Sequence, residues 1–324
     1  MTFEDLPTVP TSEELLDKAF SRAARSGRAK GGVEAQESML QTSSNILSDN
    51  LHNVVNSWPD FDEVDPFYRE LADAVCDGGV DELRTHLSEV SWASRKTKEL
   101  GREYMGKLPY DNADSARKLR KQGFARMGSV MDEVADDLDY LNDARDRLKT
   151  LPDIRPDEPT IVVAGYPNVG KSTFVNSVTN ARNETAQYPF TTKAIRVGHV
   201  ERDHIRYQLV DTPGLLDRPA EERNDIENQA TSALAHAADT ILFFLDASAT
   251  CGYPLDQQEE LLADVREQFP ETPIVTVCNK SDLSTDVEAD YYMSLEEDEN
   301  VDTVLEAAID AVGYEPELPF DERE

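Results

Sequence analysis

The residues whose types and spacing could do chemistry fall in the second half of this 324-residue chain. Gly165-Tyr166-Pro167-Asn168-Val169-Gly170-Lys171-Ser172-Thr173 follows the apolar run TIVVA and opens a helical pattern. Glycines at the first and sixth positions let backbone N–H groups curl around a phosphate, and the helix N-terminus adds its positive end. Lys171 can then reach the β- and γ-phosphates of a nucleotide, while the Ser172 hydroxyl ligates Mg²⁺. This loop alone leaves ATPases, kinases and GTPases open, so a base-reading motif has to decide. Asn279-Lys280-Ser281-Asp282 closes the apolar run PIVTVC, with Asn279 lying 107 residues after Ser172. An ionised carboxylate accepts two parallel hydrogen bonds from guanine N1–H and N2–H₂, a donor pair that adenine lacks. Asp282 therefore selects GTP and GDP.

Two further motifs lie between these. Asp211-Thr212-Pro213-Gly214 also ends an apolar run; Asp211 suits the carboxylate that holds a Mg²⁺ water, and the Gly214 amide can sense the γ-phosphate. Tyr188-Pro189-Phe190-Thr191-Thr192 carries a threonine able to close onto Mg²⁺ when the γ-phosphate is present, and Thr192 is the expected one. Ser172 and Thr192 are thus the expected metal ligands. The five histidines show no ligand spacing and no nucleophile partner.

These motifs need a scaffold. Short β-branched runs at 160–164, 194–200, 205–210, 240–245, 273–278 and 290–293 alternate with helical patterns at 171–179, 220–237, 255–268 and 301–312. That alternation predicts an α/β domain, a mostly parallel six-stranded sheet with helices on both faces. No strand pattern interrupts the first 150 residues. Apolar residues recur at helical spacing over 12–26, 34–57 and 66–76, followed by helices over about 80–107 and 112–149. Thr11 with Glu14 reads as a capping box, and Asp65-Pro66 as an N-cap and first helical residue. The expected organisation is an all-α helical bundle over 1–151, a proline-rich linker over 152–158, a phosphate-loop domain over 159–314 and an acidic tail over 315–324.

Composition narrows the partners. The chain holds 32 Lys+Arg against 65 Asp+Glu, net −33. Residues 1–150 carry 20 basic and 29 acidic side chains, and residues 151–324 carry 12 and 36. Such charge disfavours DNA and anionic membranes. Against that background, Ser91–Val130 holds ten cations (Arg95, Lys96, Lys98, Arg102, Lys107, Arg117, Lys118, Arg120, Lys121, Arg126) and four acids, a place for RNA or a solvated helix face. Arg outnumbers Lys 21 to 11, and an acid-rich, Lys-poor surface suits a cytosol at molar salt, the alternative being an ordinary acidic mesophile protein. No apolar window approaches a membrane span, and three cysteines without CxxC spacing argue for reduced thiols in a cytoplasmic, unexported protein.

The series GYPNVGKS, YPFTT, DTPGLLDRP, CGYPLDQQ, NKSD and Met293-Ser294-Leu295, with LRKQGFARMGSV before the linker, resembles the Obg superfamily of GTPases and within it the archaeal form of the Nog group. The resemblance implies a Ras-like P-loop GTPase domain behind the helical domain, hydrolysis of GTP to GDP, and docking on a large ribosomal subunit or its rRNA through the helical domain. It places Ser294 and Leu295 in the base loop, where Leu295 departs from the usual alanine. Leu215 and Leu216 stand where many GTPases carry a water-orienting glutamine, so intrinsic hydrolysis should be slow. Similar GTPases use the loop asparagine, here Asn168, to bind K⁺ beside the phosphates. Lys171, Asn168, Thr192 and Gly214 are the resulting catalytic candidates. A signalling switch whose helical domain grips a protein effector is the alternative.

Overall fold

A computed structural model describes residues 3–151, 154–179, 184–186, 195–212, 215–223 and 225–314. The chain divides into two compact units, Met1–Val64 with Val75–Lys149 and Asp65–Ala74 with Thr150–Glu324.

Among the described residues, the first half holds the α-helices α1 (Ser12–Arg28), α2 (Gly32–Asn56), α3 (Pro66–Val75), α4 (Gly79–Gly106), α5 (Ala113–Glu133) and α6 (Ala135–Leu148). Thr11 and Glu14 form the expected reciprocal box at the start of α1. The Asp65 carboxylate accepts from the Phe67 N–H at 2.9 Å as α3 begins. α2 and α4 approach closely through small polar residues, with the Ser94 hydroxyl donating to the Ser48 carbonyl at 2.8 Å.

The helix expected over 112–149 is two helices. Val134 breaks it with φ −105° and ψ 15°, yet its side chain is buried, as are Met127, Met131, Leu138 and Leu141. The apolar seam continues past a break at a β-branched residue, so burial outweighs an unbroken hydrogen-bond ladder. α3 groups with the second unit, although the sequence places it within 1–151. The Tyr68 hydroxyl donates to the Ile154 carbonyl at 2.7 Å, and Phe67 and Leu71 are fully buried.

The second unit is built on β1 (Thr160–Ala164), α7 (Lys171–Val178), β2 (Glu184–Ala186), β3 (Ile195–Arg202), β4 (Ile205–Asp211), α8 (Asp225–Ala237), β5 (Thr240–Leu245), α9 (Leu255–Gln268), β6 (Ile274–Cys278), β7 (Tyr291–Tyr292) and α10 (Val301–Val312). The strands make one sheet in the order β2-β3-β4-β1-β5-β6-β7. β4, β1, β5, β6 and β7 run parallel, while β3 pairs antiparallel with both β2 and β4. The six expected strands are present, and among the described residues the three-residue β2 adds a seventh. Every residue of β1 and β5 is buried, as a sheet covered on both faces requires. Gln208, buried in β4, holds the incoming linker: its amide donates to the Arg155 and Glu158 carbonyls and accepts from the Arg155 N–H. Parallel pairing of β4, β1, β5 and β6 brings their C-terminal ends to one edge of the sheet. Among the described residues, no helix is long and apolar enough to cross a membrane.

Candidate functional site

The loop from Gly165 to Gly170 joins β1 to α7, and its backbone dictates its residues. Gly165 has φ +126° and Gly170 φ +109°, conformations that L side chains rarely adopt. A Cβ on Gly165 would lie 2.5 Å from the Phe244 carbonyl oxygen, and one on Gly170 would lie 2.2 Å from Asn279 Nδ2. Asn168 also has positive φ, +64°. Lys171 is buried, its ammonium donating to the carbonyls of Gly165 and of Tyr166, the latter at 2.8 Å. Those bonds hold the cation inside the curl of the loop, where the first N–H groups of α7 also have no intrahelical partner. Tyr166 and Val169 are buried, Pro167 is half-buried, and Asn168 and Thr173 are exposed.

Asp211 ends β4 directly beside Val163 of β1. Its Oδ2 accepts from the Ser172 hydroxyl at 2.5 Å. Its Oδ1 is buried with no hydrogen-bond partner among the described residues. Burial pushes this carboxyl above its ordinary value, opposed by the Ser172 bond and the Lys171 charge. An unpartnered buried carboxylate oxygen beside a serine hydroxyl is a hard-oxygen donor set that fits Mg²⁺. Thr192 and Gly214 lie outside the described residues, as does the rest of 188–192. Leu215 and Leu216 are completely buried, and the Leu216 carbonyl accepts from the Gly165 N–H at 2.9 Å. The positions where a polar, water-orienting side chain would stand are therefore core positions.

The base motif meets the loop from the neighbouring strands. Asn279, 2% exposed, donates through Nδ2 to the Val169 carbonyl at 2.8 Å. Its Oδ1 accepts from the Leu295 N–H at 3.4 Å, so the backbone contact at 295 does not depend on the side chain found there. The Asp282 carboxylate accepts from the buried Ser294 hydroxyl at 2.6 Å. Lys280, at φ +58°, donates to Asp246 Oδ2 at 2.7 Å and to Thr250 Oγ1 at 2.9 Å. Every described candidate thus lies at the C-terminal edge of β1, β4, β6 and β7, in the loops that follow, or in the first turn of α7.

Sequence reasoning missed the loop after β5. Asp246 is completely buried and accepts from Lys280, from the Ser248 N–H and hydroxyl, from the Thr250 hydroxyl and from the Cys251 N–H. Burial would raise this carboxyl; the donors around it more than offset that and hold it at about 2. Gln258 on α9 brackets the same loop, accepting from the Asp246 N–H and donating to the Tyr253 carbonyl. The loop reaches the phosphate-binding segment twice. Asn168 Nδ2 donates to the Cys251 carbonyl at 3.4 Å, and Tyr253 stacks on Tyr166 with ring centroids 4.2 Å apart. The available signal was Asp246, directly after the apolar run TILFFL and five residues before CGYPLDQQ.

Comparison with known proteins agrees with both halves. The NOG1 N-terminal helical domain family matches residues 3–155, and the 50S ribosome-binding GTPase family matches residues 160–280. The chain is 38% identical over 291 residues to the uncharacterized protein MJ1408 of Methanocaldococcus jannaschii, covering 87% of this chain and 81% of that protein. It is 32% identical to Nucleolar GTP-binding protein 1 of Drosophila melanogaster, covering 96% of this chain and 50% of that protein. The Arabidopsis thaliana protein of the same name is 34% identical, with 87% and 43% covered. The chain spans half or less of the length of these two nucleolar relatives. With a NOG1 N-terminal helical domain followed by a GTPase domain, and relatives matched across both, the chain belongs to the Nog group of Obg-superfamily GTP-binding proteins.

Proposed function

We propose that this protein hydrolyses GTP to GDP and phosphate and uses the cycle to dock on, and leave, a large ribosomal subunit during its assembly in the cytoplasm. The observation that carries the enzymatic part is the convergence of Gly165–Ser172, Asp211 and Asn279–Asp282 at one edge of the sheet. Backbone N–H groups of 165–170 and the Lys171 ammonium bind the phosphates, and Asp282, oriented by Ser294, accepts from guanine. Asn279 ties the base motif to the phosphate loop through Val169, fixing the span between base and phosphates. Ser172, the Asp211 carboxylate through water, and Thr192 would hold Mg²⁺, which neutralises charge on the transferring phosphoryl group. Asn168 would contribute its amide oxygen to K⁺, and the Gly214 amide would meet the γ-phosphate. Buried Leu215 and Leu216 leave the attacking water without a side-chain partner there, which makes unaided hydrolysis slow.

The ribosomal part is supported by the family description of the GTPase segment, by the nucleolar name of the longer relatives, and by charge on the helical unit. Arg95, Lys98 and Arg102 on α4 and Arg117, Lys118, Lys121 and Arg126 on α5 are exposed on the faces these helices turn to solvent. Arg120 differs from its neighbours. It is half-buried, donates to Gln36 at 2.9 Å and lies 4.9 Å over the Phe124 ring. The docking test therefore reverses Arg117, Lys121 and Arg126 and spares Arg120, whose loss would disturb packing. Purified protein should co-sediment with large subunits under a GTP analogue and be released under GDP, and the triple variant should bind less while hydrolysing GTP normally. Sedimentation with subunits in neither nucleotide state would favour a switch that grips a protein effector.

A further inference from the structure

Asp246 is given no contact with nucleotide or metal in the proposed reaction, yet it is completely buried and accepts from five groups. The destinations of those bonds matter more than their number. Oδ2 holds the Lys280 ammonium at 2.7 Å on the base side and the Cys251 N–H at 2.8 Å on the phosphate side. The Cys251 carbonyl then accepts from Asn168 Nδ2. Two residues on, Tyr253 stacks against Tyr166 of the phosphate loop, and Gln258 fixes both the Asp246 N–H and the Tyr253 carbonyl. Nδ2 is the donor end of the Asn168 amide, so engaging it on Cys251 leaves Oδ1 as the end that can accept or ligate.

We propose that Asp246 is a positioning residue that couples guanine recognition to phosphate chemistry, setting Lys280 on one side and, through the 248–253 loop, the Asn168 amide on the other. The phosphate arm rests on the reading of Asn168 given above; the base arm does not. Lys280 adopts a left-handed backbone, φ +58°, that a non-glycine residue holds only when its surroundings enforce it, and Asp246 with Thr250 supplies that enforcement. Charge is part of the device. An asparagine at 246 keeps the shape, but it would turn an amide N–H₂ toward groups that are all donors: the Lys280 ammonium, two hydroxyls and two backbone N–H groups. The depressed carboxyl at 246 reflects the same donor shell.

Double-mutant cycles on the full chain separate positioning from general damage, because residues acting through one another are non-additive and independent losses multiply. GDP affinity, read with a fluorescent GDP, is measured for D246N, K280A and D246N/K280A. GTP turnover in KCl is measured for D246N, N168A and D246N/N168A. We expect D246N to weaken GDP by about ten-fold or more, the size of a lost charged hydrogen bond, and to lower kcat. Each double variant should match its K280A or N168A parent within about two-fold. Losses that multiply in both cycles, or wild-type GDP affinity and kcat in D246N, overturn the proposal. N168A with wild-type kcat overturns the phosphate arm together with the reading of Asn168; multiplying losses with N168A itself slowed overturn Asp246 alone. Should D246N fail to fold, exposed Thr250 carries the test. T250V should weaken GDP by about two- to five-fold in wild type and not at all in the K280A background, and unchanged affinity in wild type would refute the coupling.

Discussion

Replacing Gly170 by alanine tests the geometry of the site most directly, since two separate costs can be worked from it. Holding a residue with a Cβ at φ +109° costs about 1–3 kcal/mol. The new Cβ would also lie 2.2 Å from Asn279 Nδ2. Asn279 is 2% exposed and has nowhere to swing, so its 2.8 Å bond to the Val169 carbonyl breaks and a buried donor is orphaned. That second loss is about 1–3 kcal/mol. Together the costs come to about 2–6 kcal/mol, set against a typical domain stability of about 5–15 kcal/mol. Melting should fall by at least about 4 °C, at roughly 2–4 °C per kcal/mol for a domain of this size. Gly313 supplies the control: it too has positive φ, +62°, but a Cβ there meets nothing within 4 Å. Scanning calorimetry and GDP titration on both variants should show a small loss of stability with normal GDP binding for Gly313→Ala, and a larger loss with GDP binding weakened at least about ten-fold for Gly170→Ala, every ten-fold being about 1.4 kcal/mol. Equal melting shifts and equal GDP affinity in the two variants would refute the argument, because backbone strain alone would then account for Gly170.

Four other outcomes follow from the same structure. Asp282→Asn should weaken GTP binding by about 1–3 kcal/mol and improve tolerance of xanthine nucleotide, measured by competition; equal wild-type affinity for ATP and GTP would remove the basis for that role. GTP turnover should be faster in KCl than in NaCl at matched ionic strength, and Asn168→Ala should erase the difference. The Asp246 carboxyl, held at about 2 against an ordinary 3.8, stabilises the fold fully above about pH 4 and loses that contribution as pH falls toward 2. The stability gap between wild type and Asp246→Asn, followed by chemical denaturation, should therefore close across that window. With net charge −33, unfolding midpoints should rise from low salt to molar KCl as the Debye length shrinks from about 10 to about 3 Å; a flat salt profile would argue against a high-salt adaptation.

The sequence alone determined what depends on local order. The phosphate loop was legible because its chemistry demands glycines at fixed spacing between a strand and a helix, and Gly165 and Gly170 do adopt the positive φ that spacing implies. Six strands and the Thr11–Glu14 box were legible because periodicity and capping are properties of a few consecutive residues. Tertiary structure decided the rest. An amphipathic helix such as α3 announces that Phe67 and Leu71 will be covered, not that they belong with a unit beginning at Thr150. Nor does a basic stretch reveal that Arg120 is spent on Gln36 and Phe124 while Arg117 and Lys121 face solvent. The heptad-like seam through Val134 predicted one helix, because side-chain spacing does not register a backbone that leaves helical geometry while keeping its burial. Asp246 was the least legible of all. Its partners lie up to 34 positions away along the chain, and only parallel pairing of β5 with β6 brings a carboxylate at the end of one strand to the lysine at the end of the next.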